Sequence, residues 1–233
     1  MINVAISYRP SEENNYQLEN IPTNIQLSLY KYEFYKDNKD SILESLEENA
    51  TKIKVVHLPL DTLHIPYEKI NELIEDIFIR TGCVNFVVHP NKNIEKLIKK
   101  FQLKSPQILC IETFAWRRKK IFRSPLEIIN VCQQYNNIWM TIDTSHIEDI
   151  WFDHRIMPYL LKFTKVIHLS NRAEGLGSHL PFNHPKGELN LVSFVKELKY
   201  KYKWNGIIVL EYMPEYSTKL IKNHNYVKKL LGE

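Results

Sequence analysis

The chain has 233 residues, 44% of them hydrophobic and 25% charged, enough for one large buried core and ordinary for a globular domain. A net charge of +4 with pI near 8.7 would help an anionic substrate approach but is no nucleic-acid signature by itself. No apolar run approaches ~18 residues, which excludes an apolar membrane-spanning helix. Met1 leads within two residues into the strand-like NVAISY, without the charged and apolar regions of a leader, so no signal peptide and a cytoplasmic setting are expected. The three cysteines, Cys83, Cys110 and Cys132, lack metal-type spacing and read as free thiols in a reducing compartment.

In chain order, strands are expected at residues 3–7, 25–29, 53–58, 84–89, 107–112, 138–143, 165–169 and 206–211. They are short, continuous and rich in Val and Ile, the pattern of strands buried on both faces in a parallel sheet. Residues 8–24 make a poor helix, so the first crossover is expected to be short or irregular. SILESLEENA opens on Ser41, a candidate cap. PYEKINELIEDIFIRTG has Pro66 near its start and Gly82 at its end, the usual polarity of a helix. SPLEIINVCQQYNN carries a capping-box pattern at Ser124 and Glu127. LVSFVKELKYKY and STKLIKNHNYVKKLL supply the last helices. The alternation predicts an α/β fold, a single (β/α)₈ TIM barrel over residues 1–233, slightly shorter than the typical ~250 residues.

Six of these strands end on a residue that can bind a metal. VVHLP ends on His57, FVVHP on His89, ILCIET on Glu112, WMTIDTSH on Asp143 with His146, KVIHLS on His168 and IIVLEY on Glu211. In a parallel barrel these ends converge at one mouth. Glu112, Asp143, His168 and Glu211 form a mixed oxygen and nitrogen set suited to Mn²⁺, Mg²⁺, Co²⁺ or Zn²⁺. Any one of them could merely end a strand, but four in succession argue for a shared ion. His57 and His89, beside Glu112, could hold a second ion. His146 could take a substrate hydroxyl or a further metal, and His179 and His184 are loop candidates for the same task. Trp116 and Arg117, in the basic run TFAWRRKKIFR, could grip phosphate or stack on nucleic acid, and Arg172 is a similar candidate nearer the strand ends. His64, His154 and His224 fit no strand end.

The set HLP, VVHPN, IET, DTSH, IHLSN, SHLPFN…KGEL and LEY resembles the xylose-isomerase-like TIM barrels, a superfamily of sugar and sugar-phosphate isomerases and epimerases that also holds the endonuclease IV type of abasic-site nuclease. The resemblance covers residues 53 to 211. Its isomerase branch implies one divalent metal on Glu112, Asp143, His168 and Glu211. Glu112 and Glu211 would move a proton next to a carbonyl through an enediolate, with His146 and Arg172 on substrate oxygens. That reading leads: a metal-dependent isomerase or epimerase of a small sugar or sugar phosphate. The alternative is a multi-zinc phosphodiesterase acting on abasic-site DNA. The resemblance then implies one ion on His57, His89 and Glu112, a second on Glu112, Asp143, His168 and Glu211, and a third on His146 and His179, where Gly177 stands at the position of the family's Asp. Barrels of this type often pair, so a homodimer is a further expectation.

Overall fold

The computed structural model describes residues 1–10, 21, 23–90, 98–99, 101–113 and 124–233. Eight parallel strands close a barrel. They are β1 (Asn3–Tyr8), β2 (Asn24–Ser28), β3 (Ile53–His57), β4 (Asn85–Val88), β5 (Ile108–Glu112), β6 (Ile138–Asp143), β7 (Thr164–Leu169) and β10 (Ile207–Leu210), with β1 pairing both β2 and β10. Each expected strand appears within a residue or two of its expected bounds. The first crossover falls largely outside the described residues.

Two layers of apolar side chains fix this arrangement. Inside the barrel, Ala5, Val55, Val87, Cys110, Val166 and Val209 form one packed plug. Outside it, the remaining apolar strand residues meet the helices in a second, larger core. Side chains alternate along a strand, so residues two further on face the interior again. Those residues are Ser7, His57, His89, Glu112, His168 and Glu211. The barrel therefore has an apolar floor and a polar ring directly above it, at the C-terminal mouth.

The helices follow from local sequence. α1 (Tyr32–Asp37) and α2 (Lys39–Glu48) adjoin across Asn38. Asn38 occupies the N-cap of α2 without a side-chain bond, so Ser41 lies within the helix and does not cap it. α3 (Tyr67–Thr81) buries Ile70, Leu73, Ile74 and Ile77, an i, i+3, i+4, i+7 stripe. Burying each such side chain is worth roughly 1.5–3 kcal/mol. Gly82 ends α3 at φ 67°, where an L side chain is strained, and its N–H reaches Phe78 O at 2.8 Å. α4 (Pro125–Cys132) is capped by Ser124: Oγ accepts from the Leu126 N–H at 3.1 Å, and the Glu127 carboxylate reaches back to the Ser124 N–H at 3.4 Å. Further on come α5 (Met157–Leu161), α6 (Leu191–Lys196), which runs into a π-helical turn over Glu197–Lys201, and α7 (Leu220–Leu230).

A small antiparallel hairpin, β8 (Asn171–Ala173) with β9 (Gly177–Leu180), follows β7 directly and was not expected. Asn171 pins the next loop to it. Its Oδ1 accepts from the N–H groups of Arg172 and Leu189 at 2.9 and 3.0 Å, and its Nδ2 donates to Leu189 O at 3.1 Å. Gly187 packs on that amide so closely that a Cβ there would sit 2.4 Å from Asn171 Nδ2. The three cysteines are free and buried, and burial raises each thiol pKa, those of Cys83 and Cys132 to about 12. None is a ready nucleophile. No helix among the described residues is long and apolar enough to cross a membrane.

Candidate metal centre

Glu112 stands at the middle of the polar ring. Its Oε2 lies 3.1 Å from His57 Nε2, 3.3 Å from His89 Nε2 and 3.5 Å from His168 Nδ1, while Oε1 lies 3.6 Å from His146 Nδ1. Glu211 Oε2 is 2.8 Å from His168 Nδ1, and Asp143 Oδ2 is 3.5 Å from His146 Nδ1 and 3.8 Å from His179 Nδ1. Three groups of donor atoms result, each within 4.8 Å of one another: His57, His89 and Glu112; Glu112, Asp143 and His168; and Asp143, His146 and His179. Glu112 belongs to two of them, and so does Asp143.

The strands aim these atoms, and neighbouring groups lock them. His57 Nδ1 faces the Leu58 carbonyl at 2.8 Å, and His168 Nε2 faces Gln26 Oε1 at 2.9 Å. Both partners can only accept, so each facing nitrogen carries a proton, and the other ring nitrogen is turned toward the carboxylates. Asp143 Oδ1 is held by the Ser145 N–H and Oγ–H, both at 2.8 Å, which leaves Oδ2 to face His146 and His179. His179 sits at φ 59°, a left-handed conformation uncommon for a non-glycine residue, at the end of the hairpin excursion that returns it to the mouth.

The donor set fits divalent cations. Asp143 Oδ2 and His179 Nδ1 are buried, lie 3.8 Å apart and make no hydrogen bond with described residues. Each such atom costs roughly 1–3 kcal/mol when left unsatisfied. The charge balance of the ion-free ring points the same way. Burial alone would raise the Glu112 carboxyl pKa and lower that of His168. Instead, His89 and His168 hold Glu112 well below the usual carboxylate range, and Glu211 and Glu112 hold His168 well above the usual imidazole range. Burial likewise opposes the charged form of His146, yet Asp143, Glu112 and Glu211 raise its pKa to about 9. Glu211 is also lowered despite burial, chiefly by His168. Without an ion, the charged forms of His146 and His168 answer these carboxylates.

Not every candidate joins this ring. Arg172 is buried, with its guanidinium on the Ile147 carbonyl and on Asp149 Oδ1, so it ties the hairpin to the loop that follows β6. Its expected contact with substrate gains no support from that placement. Trp116 and Arg117, with the rest of the basic run, lie outside the described residues. His184 packs beside Tyr216 and accepts from the Lys186 N–H, apart from the ring. His64 and His154 are exposed, and His224 is buried against Thr23, 2.5 Å from its Oγ1.

Three participants escaped the sequence reading. Gln26 is a mid-strand amide with no motif around it, and Ser145 stands inside DTSH but was passed over. Arg9, two residues beyond Ser7 along β1, has Nη2 3.6 Å from Glu211 Oε1. The spacing of inward positions along β1 and β2 is the signal that could have found Gln26 and Arg9. Replacing Gln26 by Leu should weaken cation affinity about 10–100-fold, the usual effect of removing a partner that orients a metal-ligating His. A metal titration followed by calorimetry checks it.

The model of the xylose isomerase-like TIM barrel family matches residues 88–230. The chain belongs to that family. No curated protein matches it in sequence. Among solved structures it is similar to endonuclease IV from Thermus thermophilus, at TM-score 0.65 and 14% identity over 97% of this chain and 99% of that one. It is equally similar to a 3-keto-D-glucoside 4-epimerase from E. coli, at TM-score 0.65 and 6% identity over 98% and 100% of the two chains. An L-ribulose 3-epimerase follows at TM-score 0.62 and 11% identity, over 100% and 95%. At these identities the likeness shows the fold. Members of the family are mostly enzymes, and several activities occur on this one barrel.

Proposed function

We propose that the chain is a divalent-metal phosphoester hydrolase whose centre holds at least two ions bridged by Glu112. The observation that carries this reading is the pair of imidazoles on one carboxylate oxygen: His57 and His89 both present Nε2 to Glu112 Oε2, at 3.1 and 3.3 Å. A single-ion centre on Glu112, Asp143, His168 and Glu211 leaves both imidazoles without a ligand's task. A bridging carboxylate flanked by two donor sets is the arrangement of two-metal hydrolytic sites.

Divalent cations bound there would supply Lewis acidity and lower the pKa of an attacking water. The chain's residues do the positioning. His57, His89 and Glu112 would hold one ion, and Glu112, Asp143, His168 and Glu211 the other. His146 and His179, with Asp143, would hold a third. In the reaction a water oxygen forms a bond to phosphorus, the ester P–O bond opposite breaks, and the water's proton ends on the leaving oxygen. The mild positive charge of the chain suits an anionic substrate, with abasic-site DNA and small phosphodiesters as the classes to test.

A second reading, proton transfer beside a carbonyl in a sugar or sugar phosphate, draws on a different observation. Glu112 and Glu211 both approach His168 Nδ1, at 3.5 and 2.8 Å, so two carboxylates are available at one place for acid and base work. It ranks second because it gives His57 and His89, both on Glu112 Oε2, no part in the chemistry. Assays of protein loaded with Zn²⁺ or Mn²⁺ separate the two. Hydrolysis of bis(p-nitrophenyl) phosphate or of an abasic-site duplex, with no deuterium gained by keto-sugars in D₂O, is expected. Deuterium incorporation with no phosphoester cleavage would replace the hydrolase by the isomerase.

A further inference from the structure

The barrel has a second open end. Two residues before the apolar plug its strands face inward again, at the N-terminal mouth away from the metal centre. A cavity of about 460 Å³ opens there, inside the ~300–1,000 Å³ range of small-molecule sites. Its polar lining includes Lys54, Lys165, Asn3, Asn85, Thr51 and Asn205, and no Asp or Glu borders it among the described residues. The plug of Ala5, Val55, Val87, Cys110, Val166 and Val209 separates it from the polar ring.

Both lysines reach this cavity where the strand register skips a residue. Ile25 pairs with Ile53 and Gln26 with Val55, so Lys54 is the extra residue of β3. Met140 pairs with Thr164 and Thr141 with Val166, so Lys165 is the extra residue of β7. A residue inserted in this way bends its strand and re-aims a side chain. β3 and β7 stand on opposite sides of the closed barrel, so the two cations come from facing walls. Lys54 Nζ donates to the Thr51 carbonyl at 2.6 Å, and Lys165 Nζ lies 5.6 Å from the centre of the Trp139 ring. Neither contact brings a negative charge to its ammonium group. Asn85, 8% exposed, completes the lining. Its Nδ2 donates to the Lys54 carbonyl at 3.0 Å, which fixes the other end of the amide as the oxygen. That Oδ1 is buried and meets no donor among the described residues. A buried acceptor in this state is costly, and a donor from a bound molecule would satisfy it.

We propose that the N-terminal mouth of the barrel is a second binding site, for a small hydroxylated phosphate of the sugar-phosphate class. Lys54 and Lys165 hold the phosphate from opposite walls, and Asn85 Oδ1 accepts from a hydroxyl of the same molecule. The charges match: a phosphate monoester carries about −1.5 to −2 at neutral pH, and lysine binds phosphate as a point charge. A phosphate alone would leave the amide without its purpose, and a neutral sugar would leave both cations unanswered. The site lies beyond the plug from the metal ions, so the inference stands apart from the hydrolase reading.

The test uses the full-length chain loaded with Zn²⁺ or Mn²⁺. Ribose 5-phosphate is the probe, checked intact after each titration, with inorganic phosphate and ribose as the other two arms. Calorimetry should show ribose 5-phosphate binding more tightly than either. In the Lys54→Met, Lys165→Met variant its affinity at this site should fall about 10–100-fold, the scale of losing charge-assisted hydrogen bonds. Metal content should not change, since binding at the ions does not use these lysines. Asn85→Ala should narrow the preference for ribose 5-phosphate over inorganic phosphate. Hydrogen exchange on the unsubstituted protein locates the site without any variant: the probe should slow exchange around residues 51–54 and 82–85. Equal affinity in the double-lysine variant and the unsubstituted protein would overturn the proposal. So would slowing confined to the residues of the metal ring. Inorganic phosphate binding as tightly as ribose 5-phosphate, with Asn85→Ala changing neither, would overturn the hydroxylated ligand.

Discussion

Glu112→Gln should lower the activity by more than about a thousandfold, an expectation of roughly 4 kcal/mol in transition-state stabilisation at about 1.4 kcal/mol per tenfold. The substitution keeps shape and removes one negative charge from a side chain that is 1% exposed. Its force comes from sharing. Glu112 faces the nitrogens of His57, His89, His146 and His168, so it belongs to two of the three donor groups at once. An amide offers one neutral oxygen and one NH₂, and cannot bridge two cations. The loss should also appear without any substrate, as a loss of the rise in melting temperature on adding metal. Parallel thermal melts with and without Zn²⁺ separate that from simple unfolding. A variant that melts normally, binds metal normally and still turns over at the original rate would remove Glu112 from the mechanism.

The His57→Ala, His89→Ala double variant should cost about a hundredfold or more in phosphoester hydrolysis, the scale of losing a catalytic ion's charge stabilisation. It should leave the donor set of Glu112, Asp143, His168 and Glu211 able to bind one cation. The reason is geometric: His57 and His89 lie 3.1 and 3.3 Å from Glu112 Oε2, while His168 joins Glu112 to Glu211. Under the isomerase reading the same variant should keep most of its activity, because neither imidazole belongs to the single-ion set. Kinetics on both substrate classes with one variant therefore decide between the readings. Full phosphodiesterase activity in the double variant would show that one ion suffices.

Much of the fold was legible because buried parallel strands write themselves as continuous apolar runs. The ring was legible for a related reason. A barrel interior alternates, and in five strands a small apolar residue on the floor is followed two positions later by a donor: Val55 and His57, Val87 and His89, Cys110 and Glu112, Val166 and His168, Val209 and Glu211. What periodicity cannot see is where a chain turns after its strand. Arg172, four residues beyond His168, looked close enough to reach substrate. The unexpected hairpin of β8 and β9 starts at Asn171 and sets the guanidinium on Ile147 and Asp149. The same hairpin returns His179 to the mouth. Gln26 has no motif around it, only its inward spacing along β2, and its role shows when the closed barrel sets it against His168, 142 residues away. Arg9 was silent because RPSEENN reads as loop, although its first residue continues the inward face of β1. Sequence alone favoured a single-ion isomerase, and the convergence of His57 and His89 on one oxygen of Glu112 shifts the balance toward more than one ion.

The most direct measurement is the number of divalent ions per chain, read by elemental analysis after equilibration with Zn²⁺ or Mn²⁺ and removal of loosely held metal. At least two per chain are expected in the unsubstituted protein, and one fewer in the His57→Ala, His89→Ala variant. A count of one or none, or a count that those two substitutions leave unchanged, would contradict a centre bridged by Glu112.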